Sequence, residues 1–453
     1  MMMCKRFIPI FNSTIIAIQN LRTDTMKITH SICMALVCVF GLCAQDSIES
    51  TRDNGFFYTG GMELYNKNAT TLAGSFPNNT YGYALGQLNV GYKHNGFEIV
   101  LGGAGAGLTH DSTKGLAFNH VGYWSGYRND LVGSQANAHN IFVHNAYVRY
   151  EDENIDIKLG RFKQENDDWI DAYVEGMNAI VRAGGFHLKL FGTSGIAFAG
   201  GGWFMDYERL FSTYGILNAE VGYANEHVKF DIYVYYGDRE YIAPGANLEI
   251  YAGDSDTLGS TTKLTALFPI HNKGINSLGR HYFANFGDGD SSGFSASLVA
   301  RQDFDFLRHY NVSLAVYKNI GNANARMGQP GNPLGFYTLD NSVYSTGPAL
   351  NAFLAPDAFS ALFLSNVALG ATKAGNFVFG LDGRYTTAPS AREHALKLHV
   401  DWEIDSHLAL GLIATYYIST PLEASVWALN GESYEVGKAL DRSYVISQIN
   451  YNF

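Results

Sequence analysis

The chain has 453 residues, with 31 basic and 42 acidic groups and a formal net charge of −11, a balance that disfavours nucleic-acid binding and mildly favours cations near the surface. Apolar residues make up 47% and aromatics 14%, but charged residues only 16%, against the usual ~25% of a soluble domain. After the N-terminal region no apolar run approaches the ~20 residues of a transmembrane helix, so the apolar surface has to be carried by strands, whose side chains alternate between two faces.

At the start, Met26 and Lys27 precede an apolar stretch from Ile32 to Cys43, and Ala44 stands before the polar Gln45 and Asp46. A short positive region, a hydrophobic segment and a small residue at the cut read as a secretory signal. Residues 1–44 are then a signal region cleaved after Ala44, with Met26 the true start. Lys5 and Arg6 also precede an apolar stretch, which leaves a longer signal open. A lipid-anchor reading of Cys43 is weak, because Leu42 occupies the position where such signals want a small residue. All four cysteines (Cys4, Cys33, Cys38 and Cys43) fall in the region to be removed. The mature chain, 45–453, therefore has no disulfide, thiolate metal site or thiol nucleophile.

Alternation then recurs along the chain. Ile155, Ile157 and Leu159 interleave with Asp156, Lys158 and Gly160; Val228, Phe230, Ile232 and Val234 with Lys229, Asp231 and Tyr233. Phe377, Phe379 and Leu381 interleave with Gly380 and Asp382. Leu396, Leu398, Val400, Trp402 and Ile404 interleave with Lys397, His399, Asp401 and Glu403, and Leu408, Leu410 and Leu412 continue the pattern. A single match is weak; recurrence argues for strands with one apolar and one polar face. Short connections (His94-Asn95-Gly96, Glu151 to Asn154, Gly184-Gly185, Ala224 to Glu226, Lys373 to Asn376, Asp405-Ser406) alternate with long ones near 66–82, 106–138, 163–176, 200–215, 319–358 and 419–438. That is the layout of outer-membrane barrels, with short periplasmic turns and long external loops. The connection 387–392 is short where an external loop is due. Parity fails only between Glu240 and Gly293, where the text accommodates one extra hairpin, near 261–269 and 279–286, or none. The count is 18 strands with it and 16 without.

The last segment, Leu440 to Phe453, sets Phe453, Tyr451, Ile449 and Val445 on one face and Asn452, Asn450, Gln448 and Arg442 on the other. It resembles the C-terminal signature of bacterial outer-membrane barrels, which implies that Phe453, Tyr451 and Ile449 are the signal read by the barrel assembly machinery. Closing this strand on the first would remove an aggregation-prone edge. Tyr58, Tyr92, Tyr150, Trp402, Tyr416 and Tyr451 fall near strand ends and suit interfacial girdles against outer-membrane lipid. The fold class expected is all-β, a transmembrane antiparallel β-barrel of about 16–18 strands.

For chemistry, the third external loop, Lys163 to Gly176, carries Glu165, Asp167, Asp168, Asp171 and Glu175. The inward phase of the strands supplies Arg149, Lys158, Lys189, Lys229, Arg384, Lys397 and Arg442. Opposed charges across a constriction order water and select solutes by charge. The other reading is an ordinary solvated loop beside a wet lumen.

The strand NIDIKLGRF, the DDW loop and EGMNAI, with Gly160, Arg161, Phe162 and Trp169, resemble the Helicobacter outer-membrane protein family (the Hof group), related to OprD-type porins. The resemblance implies a porin-like barrel, although the basic ladder of OprD porins has only a sparse counterpart here. Enzyme patterns are incomplete. Gly293 to Ser297 lacks the last glycine of a nucleophile elbow, and Gly431 to Lys438 has the wrong spacing for a phosphate loop. Gly287 to Asp290 and Asp254 to Asp256 read as ordinary acidic loops sooner than calcium sites. His94, His399 and His407 read as interfacial or lumenal groups, and no metal or cofactor is expected. The function read from the sequence is passive diffusion of small polar solutes, without enzymatic activity. The alternative is a surface protein whose loops bind a partner while the barrel anchors it. Homo-oligomerisation is left open.

Overall fold

The computed structural model describes residues 54–70, 80–113, 116–124, 137–165, 167, 169–209, 215–238, 241–271, 293–321, 352–372, 374–422 and 435–453. The alternating segments pair into one closed antiparallel barrel of 18 strands. In chain order these are β1 (Gly55–Ala69), β2 (Tyr81–His94), β3 (Phe97–Asp111), β4 (Ile141–Glu151), β5 (Ile155–Lys163) and β6 (Tyr173–Ala183). There follow β7 (Phe186–Gly200), β8 (Ile216–Ala224), β9 (Val228–Gly237), β10 (Tyr241–Asp254), β11 (Leu258–Leu267) and β12 (Ala296–Phe306). The last six are β13 (Tyr310–Ile320), β14 (Phe359–Thr372), β15 (Gly375–Thr387), β16 (Ala391–Glu403), β17 (Leu408–Pro421) and β18 (Tyr444–Asn452). β18 pairs back onto β1, from Gly61 opposite Asn452 to Ala69 opposite Tyr444, so the sheet has no open edge.

The extra pair of strands exists: the arm expected near 261–269 is β11, and its partner is β10, before it in the chain. β10 and β11 meet at a turn over 255–257, while residues 279–286 lie outside the described residues. Asp254, read above as loop text, is the turn former: its side chain accepts the Asp256 N–H at 2.9 Å and its carbonyl the Thr257 N–H at 3.0 Å. The next short turn, 307–309, carries no glycine. Leu307 and Arg308 adopt φ of 52° and 60°, a conformation that bulky residues rarely take. Arg308 pairs with Asp256 on the neighbouring turn. By contrast the β2–β3 turn uses Asn95 (φ 48°) and Gly96 (φ 83°), the residues a two-residue hairpin favours.

Outward positions form the lipid face. Leu88, Val221, Ile232, Leu264, Leu398 and Leu412 are all exposed there, in the phase the alternation gave. At the short-turn rim, outward aromatics pair across neighbouring strands: Phe56 with Tyr92 at 4.8 Å, Phe97 with Tyr150 at 4.7 Å, Phe186 with Tyr223 at 4.9 Å and Phe377 with Trp402 at 5.3 Å. They make the girdle that membrane interfaces favour.

The seam between β1 and β18 is finished by Phe453, whose N–H donates to the Gly60 carbonyl at 3.0 Å and whose carbonyl accepts the Gly60 N–H at 2.9 Å. The Phe453 ring lies across Gly60, where a Cβ would meet it at 2.5 Å. A side chain at position 60 would displace that ring.

Candidate functional site

Inward strand positions carry polar groups together with tyrosines and other buried apolar side chains, and among the described residues four connecting segments turn back onto them. The first is 164–172, between β5 and β6. Asp167 Oδ1 accepts the backbone N–H groups of Trp169 (2.9 Å) and Ile170 (3.0 Å) and the Tyr235 hydroxyl (2.8 Å). Its Oδ2 takes Lys189 Nζ at 3.1 Å. The Trp169 indole N–H donates to the Tyr233 hydroxyl at 2.9 Å. Lys189, Tyr233 and Tyr235 are inward residues of β7 and β9, so this segment lies against the inner wall.

The second follows β7. The chain turns over Gly200, Gly201 and Gly202, with φ of 121°, 64° and 95°, and returns as an inner strand, Trp203–Glu208, paired to β7. Its tip docks on β1 and β2. The Gly201 N–H donates to the Glu63 carboxylate at 3.1 and 3.2 Å, the Gly202 N–H to the Tyr83 hydroxyl oxygen at 3.1 Å, and the Tyr81 hydroxyl to the Gly202 carbonyl at 3.1 Å.

The third segment, 116–124, packs on that inner strand. Gly122 and Phe204 are joined by the Gly122 N–H at 2.8 Å, the Phe204 N–H reaches the His120 carbonyl at 2.8 Å, and the Trp124 indole reaches the Tyr207 carbonyl at 3.0 Å. In the fourth, 352–358, the Ala352 N–H donates to Glu393 at 3.0 Å and Phe353 stacks on Tyr317 at 4.7 Å. A cavity of about 790 Å³ borders the seam beneath the glycine tip, lined among others by Glu63, Gln87, Gly200, His407 and Asn450.

The acids singled out in the third loop occupy unlike places. Asp167 is buried in its hydrogen bonds, with its side chain 1% exposed. Glu165 and Asp171 are exposed, Glu175 pairs with Arg161 at 2.8 Å, and Asp168 lies outside the described residues. Among the bases, the Lys158 ammonium lies over the rings of Tyr147 (5.1 Å) and Phe162 (5.3 Å), and Lys397 pairs with Asp382 at 2.5 Å. Arg384 and Arg442 share Glu393, at 3.0 and 3.6 Å, with Arg442 also donating to the Tyr417 hydroxyl at 2.8 Å. Facing charges are thus mostly paired, a partnership that sequence phase alone did not give. Glu393 and Asp382 stand in the same inward phase as Lys397 and were legible there. The glycine run before Trp203 was the signal for the inner hairpin.

His120 lies in the third segment, outside the strands, stacked on Tyr81 at 5.2 Å and edge-on to Trp203 at 4.8 Å. Full burial, with the Lys67 ammonium as a smaller cause, pulls its pKa from 6.5 down to about 3. The docked segment therefore holds a neutral imidazole, while the released one takes up a proton below about pH 6.5. Docking is at full strength above that value and weakens as pH falls toward 3, by up to ~1.4 kcal/mol per unit. Tryptophan emission should shift between pH 6 and pH 4 as Trp124 and Trp203 lose their packing. An equal shift in His120→Phe would remove the assignment.

The sequence profile of a family described as "Putative outer membrane protein" matches residues 54–453. No curated protein sequence matches the chain. Among solved structures, OccAB4 of Acinetobacter baumannii superposes with a TM-score of 0.63 at 10% identity, over 89% of this chain and 100% of that one. OccK8 (OprE) of Pseudomonas aeruginosa gives 0.61 at 10% identity, over 88% and 98%. OpdK of Pseudomonas aeruginosa, solved with vanillate, gives 0.57 at 9% identity, over 87% and 98%. At such identity the likeness is one of fold.

Proposed function

The chain belongs to this outer-membrane protein family, as the resemblance in 150–180 implied, and from that premise we propose that it is a passive diffusion channel for small polar solutes. A barrel of 18 strands is wide enough to hold an aqueous lumen. The observation that carries the reading is the inward docking of 164–172, the Gly200–Gly202 tip and 352–358 onto a polar wall. Such segments narrow a lumen without sealing it as a separate domain would.

In this reading the charge of the narrow zone is set by Glu165, Asp167, Asp171 and Glu175 of the segment together with the inward bases Lys158, Arg384, Lys397 and Arg442. Charges at a low-dielectric constriction act more strongly than in bulk water. Purified protein in a planar bilayer should give ohmic steps in potassium chloride and a reversal potential in a salt gradient that fades as ionic strength rises. Absence of any conductance from inserted, heat-modifiable protein would overturn the proposal in favour of a partner-binding surface protein anchored by its barrel.

The seam supports a second part of the proposal, that Phe453, Tyr451 and Ile449 are the assembly signal. Deleting Phe453 removes both backbone bonds to Gly60 and the ring that covers it. Yield of heat-modifiable barrel should fall severalfold while synthesis is unchanged; normal yield of inserted protein would count against the assignment.

A further inference from the structure

We propose that His187, Glu220 and Asp231 form a binding site for a divalent transition-metal ion on the inner wall, toward the short-turn rim. The three residues come from adjacent strands, β7, β8 and β9. His187 and Asp231 both lie opposite Gly222 of β8. A Cβ at Gly222 would stand 2.1 Å from Asp231 Oδ1 and 2.2 Å from His187 Cε1. The missing side chain is therefore what lets imidazole and carboxylate converge over the middle strand. Glu220, two residues along the same face, reaches in from β8 itself.

The resulting geometry suits a small cation. His187 Nε2 lies 3.1 Å from Glu220 Oε1 and 3.3 Å from Asp231 Oδ1, and the three donor atoms all lie within 4.8 Å of one another. Ligands of a tetrahedral ion with bonds of ~2.0–2.1 Å stand roughly 3.3–3.4 Å apart. A second observation points the same way. Asp231 is 3% exposed at its side chain, and its Oδ1 makes no hydrogen bond among the described residues, having only the shared His187 Nε2 at 3.3 Å before it. A neutral imidazole has one N–H at most to offer two facing oxygens, and a buried carboxylate oxygen left without a donor is costly. A cation at this point would satisfy both oxygens and the nitrogen together.

The surroundings favour binding that is reversible. Asp167, Glu220, Asp231 and Glu249 face Lys189, Lys229 and Lys263, which leaves one negative charge when His187 is neutral. Lys229 Nζ is 3.5 Å from Asp231 Oδ2 and Lys189 Nζ is 3.9 Å from Glu220 Oε2, so an incoming cation competes with two ammonium groups. One imidazole nitrogen with two carboxylate oxygens selects zinc-like ions over magnesium and calcium, which prefer all-oxygen shells. The site stands on the wall geometry and is independent of whether the barrel conducts.

The test titrates zinc chloride into the purified, folded full-length protein by calorimetry, with heat modifiability as the check on folding. Loss of one zinc equivalent, or a weakening of at least about tenfold, is expected in His187→Gln and in Asp231→Asn. The exposed-histidine variant His94→Gln should bind as the wild type does. Gly222→Ala keeps all three ligands but pushes them apart, and should weaken zinc to a similar degree. Magnesium chloride should give no matching heat. Unchanged zinc binding in His187→Gln and Gly222→Ala, or magnesium competing on equal terms, would overturn the proposal.

Discussion

Replacing Glu393 by alanine is expected to lower the temperature at which the folded barrel unfolds in detergent and to raise its conductance. Glu393 is fully buried, accepts the Ala352 N–H at 3.0 Å, Arg384 at 3.0 Å and the Ser419 hydroxyl at 3.4 Å, and forms an ion pair with Arg442 at 3.6 Å. Without it, two guanidinium groups, exposed by 1% and 2% at their side chains, lose the carboxylate they share. Leaving a buried charge without its counter-ion costs about 3–5 kcal/mol. The Arg384 guanidinium would still lie 5.6 Å from the Tyr417 ring, a contact of about 2 kcal/mol when desolvated. The loss therefore prevails. Because the Ala352 amide would lose its acceptor, the 352–358 segment should come away from the wall and widen the lumen. Glu393→Gln keeps an acceptor but not the charge, and should fall between. An unaltered unfolding temperature in Glu393→Ala would mean that Asn319, which donates to the Phe353 and Ala355 carbonyls, and the Phe353 stack hold the segment without it.

Legibility in the sequence followed the range of the interactions involved. Strand phase is local: Leu398 faces lipid because its neighbours alternate, and no distant residue has to be known. The short turns with Asn95-Gly96 or Gly184-Gly185 announce themselves by residue type, whereas Leu307-Arg308-His309 does not, because its conformation is imposed by the strands on either side. The inner segments were harder. A loop that folds inward and one that stays in solvent have similar composition, and Lys163 to Gly176 stood out by its place in strand order and its five acids. The glycine tip at 200–202 is held by Glu63 and Tyr83, 138 and 119 residues away, a partnership that no local pattern encodes. The pairing of His187 with Asp231 likewise depends on Gly222 between them, and becomes visible only once the register of three strands is known.

Neutralising Asp167 is expected to release the 164–172 segment and to shift the reversal potential toward anions. Its carboxylate organises the segment from within, through the Trp169 and Ile170 amides, and fastens it to the wall through Tyr235 and Lys189. Hydrogen bonds to a charged group contribute ~1.5–3 kcal/mol each. Asp167→Asn keeps one oxygen for the amides but weakens the bonds to Tyr235 and Lys189. A loss of about 3 kcal/mol changes the ratio of docked to released segment by roughly two orders of magnitude. The Lys189 ammonium then loses its nearer carboxylate and keeps Glu220, at 3.9 Å, so the wall gains positive character where it was neutralised before. Conductance should rise and the anion shift should be greatest at low ionic strength, where screening is weakest. Lys189→Met in the same background removes that positive charge and should cancel the selectivity shift while leaving the conductance raised. If Asp167→Asn matches the wild type in both conductance and reversal potential, the segment does not border the path that ions take.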